Sequence, residues 1–232
     1  MSRPIFEVIA TCVDDAVAAV EGGADRLELA GEMSADGLTV DVAEFRRIRA
    51  AVDVPLRVML RQQDGFLAGD LPALCARARE LRAAGADAFV LGFLDRRGAV
   101  DLPAVTAVLD AIAGCPWTFH RALDNAADRA AARAAITGLP GLDAVLTAGS
   151  AAGVGAGLDV LRAEASAQTP DAPRLIAGGG LRLEHVAALG ASGVDAFHVG
   201  TLVRTHGWAS PVEVPRVRAW RDAVDATAPA RA

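Results

Sequence analysis

Gly23-Ala24-Asp25-Arg26-Leu27-Glu28-Leu29 is the stretch whose pattern decides the fold. A glycine releases a helix through the left-handed conformation, an aspartate follows, and a strand opens in which charge and leucine alternate. Leu27 and Leu29 share one face of that strand, Arg26 and Glu28 the other. The same opening returns as Gly85-Ala86-Asp87, Gly141-Leu142-Asp143 and Gly193-Val194-Asp195, each about two strand–helix units after the last. Between these marks, short apolar strands alternate with alanine-rich amphipathic helices, the pattern of βα units around a parallel sheet. Strands are expected at residues 5–9, 26–30, 56–61, 88–92, 117–121, 143–147, 174–178 and 195–199. Helices are expected near 14–21, 41–51, 71–84, 102–113, 128–137, 158–165, 183–189 and 214–224, with Asp41 and Glu44 spaced as a capping box.

In an open doubly wound sheet both faces are covered and strands read as unbroken apolar runs. Here Arg57, Met59 and Arg61 alternate with Leu56, Val58 and Leu60, and His120 and His198 lie opposite Phe119 and Phe197. Apolar residues facing helices and polar residues facing an axis describe a closed (β/α)8 TIM barrel. One domain is expected over residues 1–225, with a fraying tail at 226–232.

The 232 residues contain no linker-like segment, and 53% hydrophobic residues supply a large core. A net charge of −6 argues against a nucleic-acid partner, and no apolar run reaches the length of a membrane span. The start leads straight into a strand, with no signal segment, and three cysteines at unrelated spacings suit a reducing compartment. The expectation is a cytoplasmic protein that handles small molecules. All 23 basic residues are arginine. Without lysine there is no Schiff-base chemistry and no lysine-bound cofactor. Without tyrosine there is no phenolic acid or base.

Alternation turns Glu7, Glu28, Arg57, Arg61, His120, Thr147 and His198 toward the axis, and catalytic groups of barrels sit at the C-terminal strand ends. Glu28 and Arg57, on neighbouring strands, are equally readable as an internal ion pair. So many ionisable groups at one mouth favour a site, because buried charge is costly unless paired. Glu7, Glu28, Arg61, His120, Asp124 and His198 are the catalytic candidates. His120 suits general acid–base work, and Asp124 either orients it, binds a hydroxyl or caps a helix. Gly178, Gly179 and Gly180 follow the seventh strand, and Gly200 and Thr201 the eighth. Amides at these two turns can hold phosphate or another anion, or the glycines serve the turns alone. Cys12 lies near the mouth and is the one thiol candidate for a metal; Met33 is a second sulfur there, while Met59 is expected to lie too deep to reach.

With these residues in order, the chain resembles the CutC family, named for copper homeostasis, along nearly its whole length. The resemblance is carried by Glu7, by Gly23-Ala24-Asp25-Arg26-Leu27-Glu28-Leu29, by Gly37-Leu38-Thr39 and by Arg61. It continues through Gly92-Phe93-Leu94-Asp95 with Gly98 and Asp101, Phe119-His120-Arg121-Ala122-Leu123-Asp124, Leu146-Thr147-Ala148-Gly149, Ala177-Gly178-Gly179-Gly180 and His198. It implies a barrel, association into a homodimer or higher homo-oligomer, a cytoplasmic location and a link to copper. The family commonly carries cysteine after the first strand and directly after the second-strand Glu-Leu; here the second position is Ala30 and the first stretch offers only the displaced Cys12. The loop Gln62-Gln63-Asp64-Gly65-Phe66 also departs from the family's run. Two functions stand side by side: copper binding, and acid–base chemistry on a small anionic metabolite, phosphorylated ones included. Oxygen and nitrogen donors dominate the mouth, which suits a metabolite or a harder divalent ion better than Cu(I).

Overall fold

The computed structural model describes residues 3–228. Eight parallel strands close on themselves in sequence order, the last pairing with the first. They are β1 (Ile5–Ala10), β2 (Arg26–Leu29), β3 (Leu56–Met59), β4 (Phe89–Leu91), β5 (Trp117–Phe119), β6 (Leu142–Thr147), β7 (Arg174–Ala177) and β8 (Ala196–Val199). Around them run α1 (Val13–Glu21), α2 (Val42–Ala51), α3 (Leu71–Ala83), α4 (Leu102–Ile112), α5 (Ala122–Asn125), α6 (Arg129–Ile136), α7 (Val154–Ser166), α8 (Leu183–Ala191) and α9 (Val214–Asp225). The barrel expected from alternation is the fold found. Of the tail, residues 229–232 lie outside the described residues.

The helix ends follow their sequence signals. Asp41, Asp70, Asp101 and Asp128 each accept a hydrogen bond from a main-chain N–H three residues on. At Asp41 this is half of a capping box, because Glu44 turns to Arg47 instead of back to the cap. Gly23, Gly85, Gly141 and Gly193 all have positive φ, as the repeated Gly-x-Asp opening requires. The sheath between strands and helices holds Leu27, Phe119 and Phe197, all fully buried.

Inside the barrel, Ile5, Ala144, Leu146, Ile176 and Ala196 form one apolar layer, and Ile9, Ala30, Met59 and Val90 another. Thr147 is a correction. The pairing of β5 with β6 shifts register between Trp117 and Thr118, Ala144 and Leu146 face the axis, and Thr147 therefore faces the helices. Close packing of helix on strand is extreme at Gly157 of α7, where an added Cβ would lie 2.0 Å from the Ala148 carbonyl oxygen.

The seam between β1 and β8 is tied by buried charge. Asp15 of α1 accepts from both Arg204 guanidinium nitrogens, from the Val212 N–H and from the hydroxyl and N–H of Thr11. Arg204 also donates to the carbonyls of Ile9 and Ser210. At the other end of the barrel, Arg221 of α9 joins Asp25 and donates to the Pro4 carbonyl.

Candidate functional site

Register builds the charged belt. Glu7 stands level with Arg26 on one side and His198 on the other, and Glu28 stands level with Arg57. Glu7 is 1% exposed; one oxygen takes the Arg26 Nε, and the other lies 2.8 Å from His198 Nδ1. Burial pushes its carboxyl up, but Arg26, the bond and charge of His198, and Arg57 hold it well below the usual carboxylate range. His198 moves the other way: burial lowers it, and Glu28 and Glu7 together raise it above an ordinary histidine. Glu7 therefore lies beneath the mouth as the carboxylate that fixes the His198 ring. Removing its charge would strand a buried guanidinium.

Glu28 and Arg57 do not pair. Arg57 turns across the barrel floor to the Thr118 hydroxyl and the Asp143 carboxylate, each 2.8 Å away. Glu28 is left 2% exposed without a hydrogen bond among the described residues. Burial, with the Glu7 charge adding, raises its pKa to about 7 against the pull of His198, Arg26 and Arg57.

Above this belt opens a cavity of about 360 Å³, the size of a small-molecule site. Glu28, Arg61, His120, His198, Gly179, Gly180, Gly200 and Thr201 all line it. Arg61 is held by the carbonyls of Gly65 and Asp36 and lies over the Phe66 ring. His120 is fixed by the Ala122 N–H, which donates to its Nδ1, so its proton sits on Nε2. That nitrogen is buried without a partner. Burial, with Arg61 and Arg121 adding, lowers the His120 pKa to about 3. The ring is thus a neutral hydrogen-bond donor at pH 7 and not the acid–base group expected from its type. Both histidines need a glycine beside them: a Cβ on Gly92 would lie 2.7 Å from His120 Nδ1, and one on Gly178 3.0 Å from the His198 ring.

Three expectations change. Asp124 does not line the cavity and does not reach His120. It accepts from the Thr147 hydroxyl, from the Ala148 N–H at 2.8 Å, and from Arg121 and Arg129 at 3.2 and 2.8 Å, so its role is to brace the wall behind Arg121. Gly178 spends its N–H on the Thr147 carbonyl and is not among the lining residues, which leaves Gly179 and Gly180 as the glycines of that turn that line the cavity. Cys12 is the N-cap position of α1 and is not among the lining residues, whereas Met59 does line the cavity, together with Met33.

Sequence reasoning also missed Arg121, Asn125 and Trp208, all in the lining. Asn125 and Trp208 stand beyond the strands, out of reach of alternation, whereas Arg121, expected at the end of the fifth strand on the face opposite His120, follows β5 as the N-cap position of α5.

Metal fit can be tested on the donors. Glu7, Glu28 and His198 bring one ligand atom each within 4.8 Å of one another. Both Glu7 oxygens are engaged and Arg26 and Arg57 stand beside them, so this set does not fit a divalent cation. Cu(I) prefers thiolate, and the sulfur in the cavity is thioether alone, so a thiolate copper site does not fit either.

A closed barrel with a charged mouth and this order of motifs defines a single-domain TIM-barrel protein with a small-molecule cavity. The chain belongs to the CutC family, whose model matches residues 5–203. A CutC family protein of Xanthomonas campestris pv. campestris (strain B100) is 35% identical over 197 residues, covering 83% of this chain and 81% of that protein. One from Bacteroides fragilis (strain YCH46) is 30% identical over 203 residues, covering 85% and 80%. The crystal structure of a Streptococcus agalactiae protein, named as a copper homeostasis protein CutC, superimposes with a TM-score of 0.77 at 22% identity, covering 85% of this chain and 98% of that one. No helix of the described residues is long and apolar enough to cross a membrane.

Proposed function

We propose that this CutC-family barrel is an enzyme that moves a proton on a small anionic metabolite bound at its mouth. The observation that carries the reading is Glu28: a buried carboxyl without a hydrogen bond among the described residues, its pKa raised to about 7, lining a cavity of metabolite size. A group that titrates near neutrality can both take and give a proton. Arg61, Arg121 and the amides of Gly179, Gly180, Gly200 and Thr201 neutralise the anion. Neutral His120 donates its Nε2–H to an oxygen on which charge develops, an interaction strengthened by exclusion of water. His198, braced by Glu7, offers Nε2 as the second proton position. The reading extends to a self-associating, cytoplasmic protein without a nucleic-acid or membrane partner.

The Streptococcus agalactiae protein's name keeps copper as the second reading. One observation favours it here: the thioethers of Met33 and Met59 line the same cavity.

The test is an NMR titration of the protein with inorganic phosphate and with phosphorylated metabolites, in wild type and in Glu28→Gln. The amides of Gly179, Gly180, Gly200 and Thr201 should shift in both proteins, and solvent-deuterium exchange into a bound substrate should vanish in the variant. Amides at these positions that stay still while others move would sink the anion site. Exchange that survives Glu28→Gln would remove the carboxyl from the chemistry.

A further inference from the structure

Three tryptophans are present, and two behave as core: Trp117 is fully buried and Trp220 is 2% exposed. Trp208 is 36% exposed and lines the cavity, next to Leu202 at 41%. One part of the indole is thus packed and the other open toward the cavity, where an apolar ligand group could cover it.

Trp208 is also held in place. Its ring lies against the Gly200 backbone, where an added Cβ would sit 2.5 Å from ring atom Cη2 and 3.0 Å from Ile9 Cδ1. The Arg204 guanidinium stands 5.0 Å from the ring centroid. Arg204 is itself fixed by Asp15, so the indole rests on the clamp that ties the barrel seam. Tryptophan positioned this way loses little freedom when a ligand arrives. Arg61, His120 and Arg121 come from the β3 and β5 ends and His198 from β8, while Ile9, Leu202 and Trp208 come from the chain at and beyond the β1 and β8 ends. The rim beyond β8 thus offers an apolar, planar surface beside the charged lining.

We infer that Trp208, with Leu202 and Ile9, forms a shelf for the planar or apolar part of the ligand, so that the substrate class is a small anion carrying a ring. This rests on the proposed anion site and adds what that site cannot give: discrimination between anions by what they carry. A ring stacked on the indole excludes water from both faces and adds the attraction of aromatic pairs, which a polyol chain lacks.

The experiment measures binding of inorganic phosphate, glycerol 3-phosphate and phenyl phosphate by calorimetry, together with tryptophan emission. It uses the full chain, Trp208→Ala and Trp208→Phe. Phenyl phosphate should bind wild type roughly 3- to 10-fold tighter than glycerol 3-phosphate and change its emission. Trp208→Ala should bind the two esters with equal affinity while still binding inorganic phosphate. Trp208→Phe should keep part of the preference and lose the emission change, since the remaining tryptophans are buried. Equal affinity of wild type for the two esters, or a preference kept in Trp208→Ala, overturns the shelf and leaves the anion reading standing. Failure of all three phosphates to bind overturns both. Emission that shifts with protein concentration alone, as the chain self-associates over Trp208, also overturns the shelf.

Discussion

At His120 the two ring nitrogens have different fates: Nδ1 accepts from the Ala122 N–H, while Nε2 is buried with no partner. The consequence can be measured as a pH dependence. An ordinary histidine titrates at 6.5, whereas burial and the neighbouring Arg61 and Arg121 charges lower this one to about 3. Between those values the unfolded chain binds a proton that the folded chain refuses, so this group makes stability fall as pH drops through the window. Above pH 7 it contributes nothing to the slope. His120→Asn should therefore flatten acid-side loss by up to about 1.4 kcal/mol per pH unit. Urea unfolding of both proteins at pH 7, 5 and 4 checks it; parallel losses would mean that the folded ring takes up the proton after all. Residue type alone suggested an acid–base histidine: the backbone donor is only two residues on, but the ring's burial comes from distant parts of the chain, Phe66 and Gly92 among them.

Among the elements, α7 shows where local reading fails and why. The helix expected near residues 158–165 begins at Val154, with Gly155 and Gly157 inside its first turn although glycine is a poor helix former. Tertiary contact overrides propensity: Gly157 lets α7 approach the Ala148 carbonyl and the Gly149 backbone. Gly157→Ala supplies a better helix former and should still destabilise by about 1–3 kcal/mol, because the atoms its Cβ meets are backbone and cannot turn aside. Thermal unfolding decides; a higher melting temperature would show that the strand end yields. The strands were legible in number and place, since period-two alternation is local, as in Arg26-Leu27-Glu28-Leu29, although β3 and β5 each end two residues sooner than expected. The four residues of α5 were not, being too few to show a period. So Asp124, readable as orienting His120, binding a hydroxyl or capping a helix, is carried behind the wall by a single turn of helix. Likewise Arg57 could be placed on the axis, but its partner Asp143 lies across the barrel, and no spacing in the sequence encodes that distance.

For the whole molecule, the placement of sulfur makes a prediction about copper. Cys12 stands off the cavity, Cys75 is buried on α3, and Cys115 precedes β5 at the opposite end. Cu(I) binding should therefore be weak, and Cys12→Ser should change it by less than about twofold, because no second thiolate is near. Competition with a Cu(I) chelator under reducing conditions measures both. Tight one-per-chain binding that disappears in the variant would restore copper as the leading reading. The seam between β1 and β8 bears on how the molecule comes into being. Asp15 waits for Arg204, and Asp25 for Arg221. A growing chain halted before residue 196 has β1 and β7 as open edges, with Asp15 facing no cation and Asp25 left with Arg3 at the exposed start of the chain. Its protease resistance should then appear in a single late step, when the last strand and α9 leave the ribosome and buckle the barrel shut.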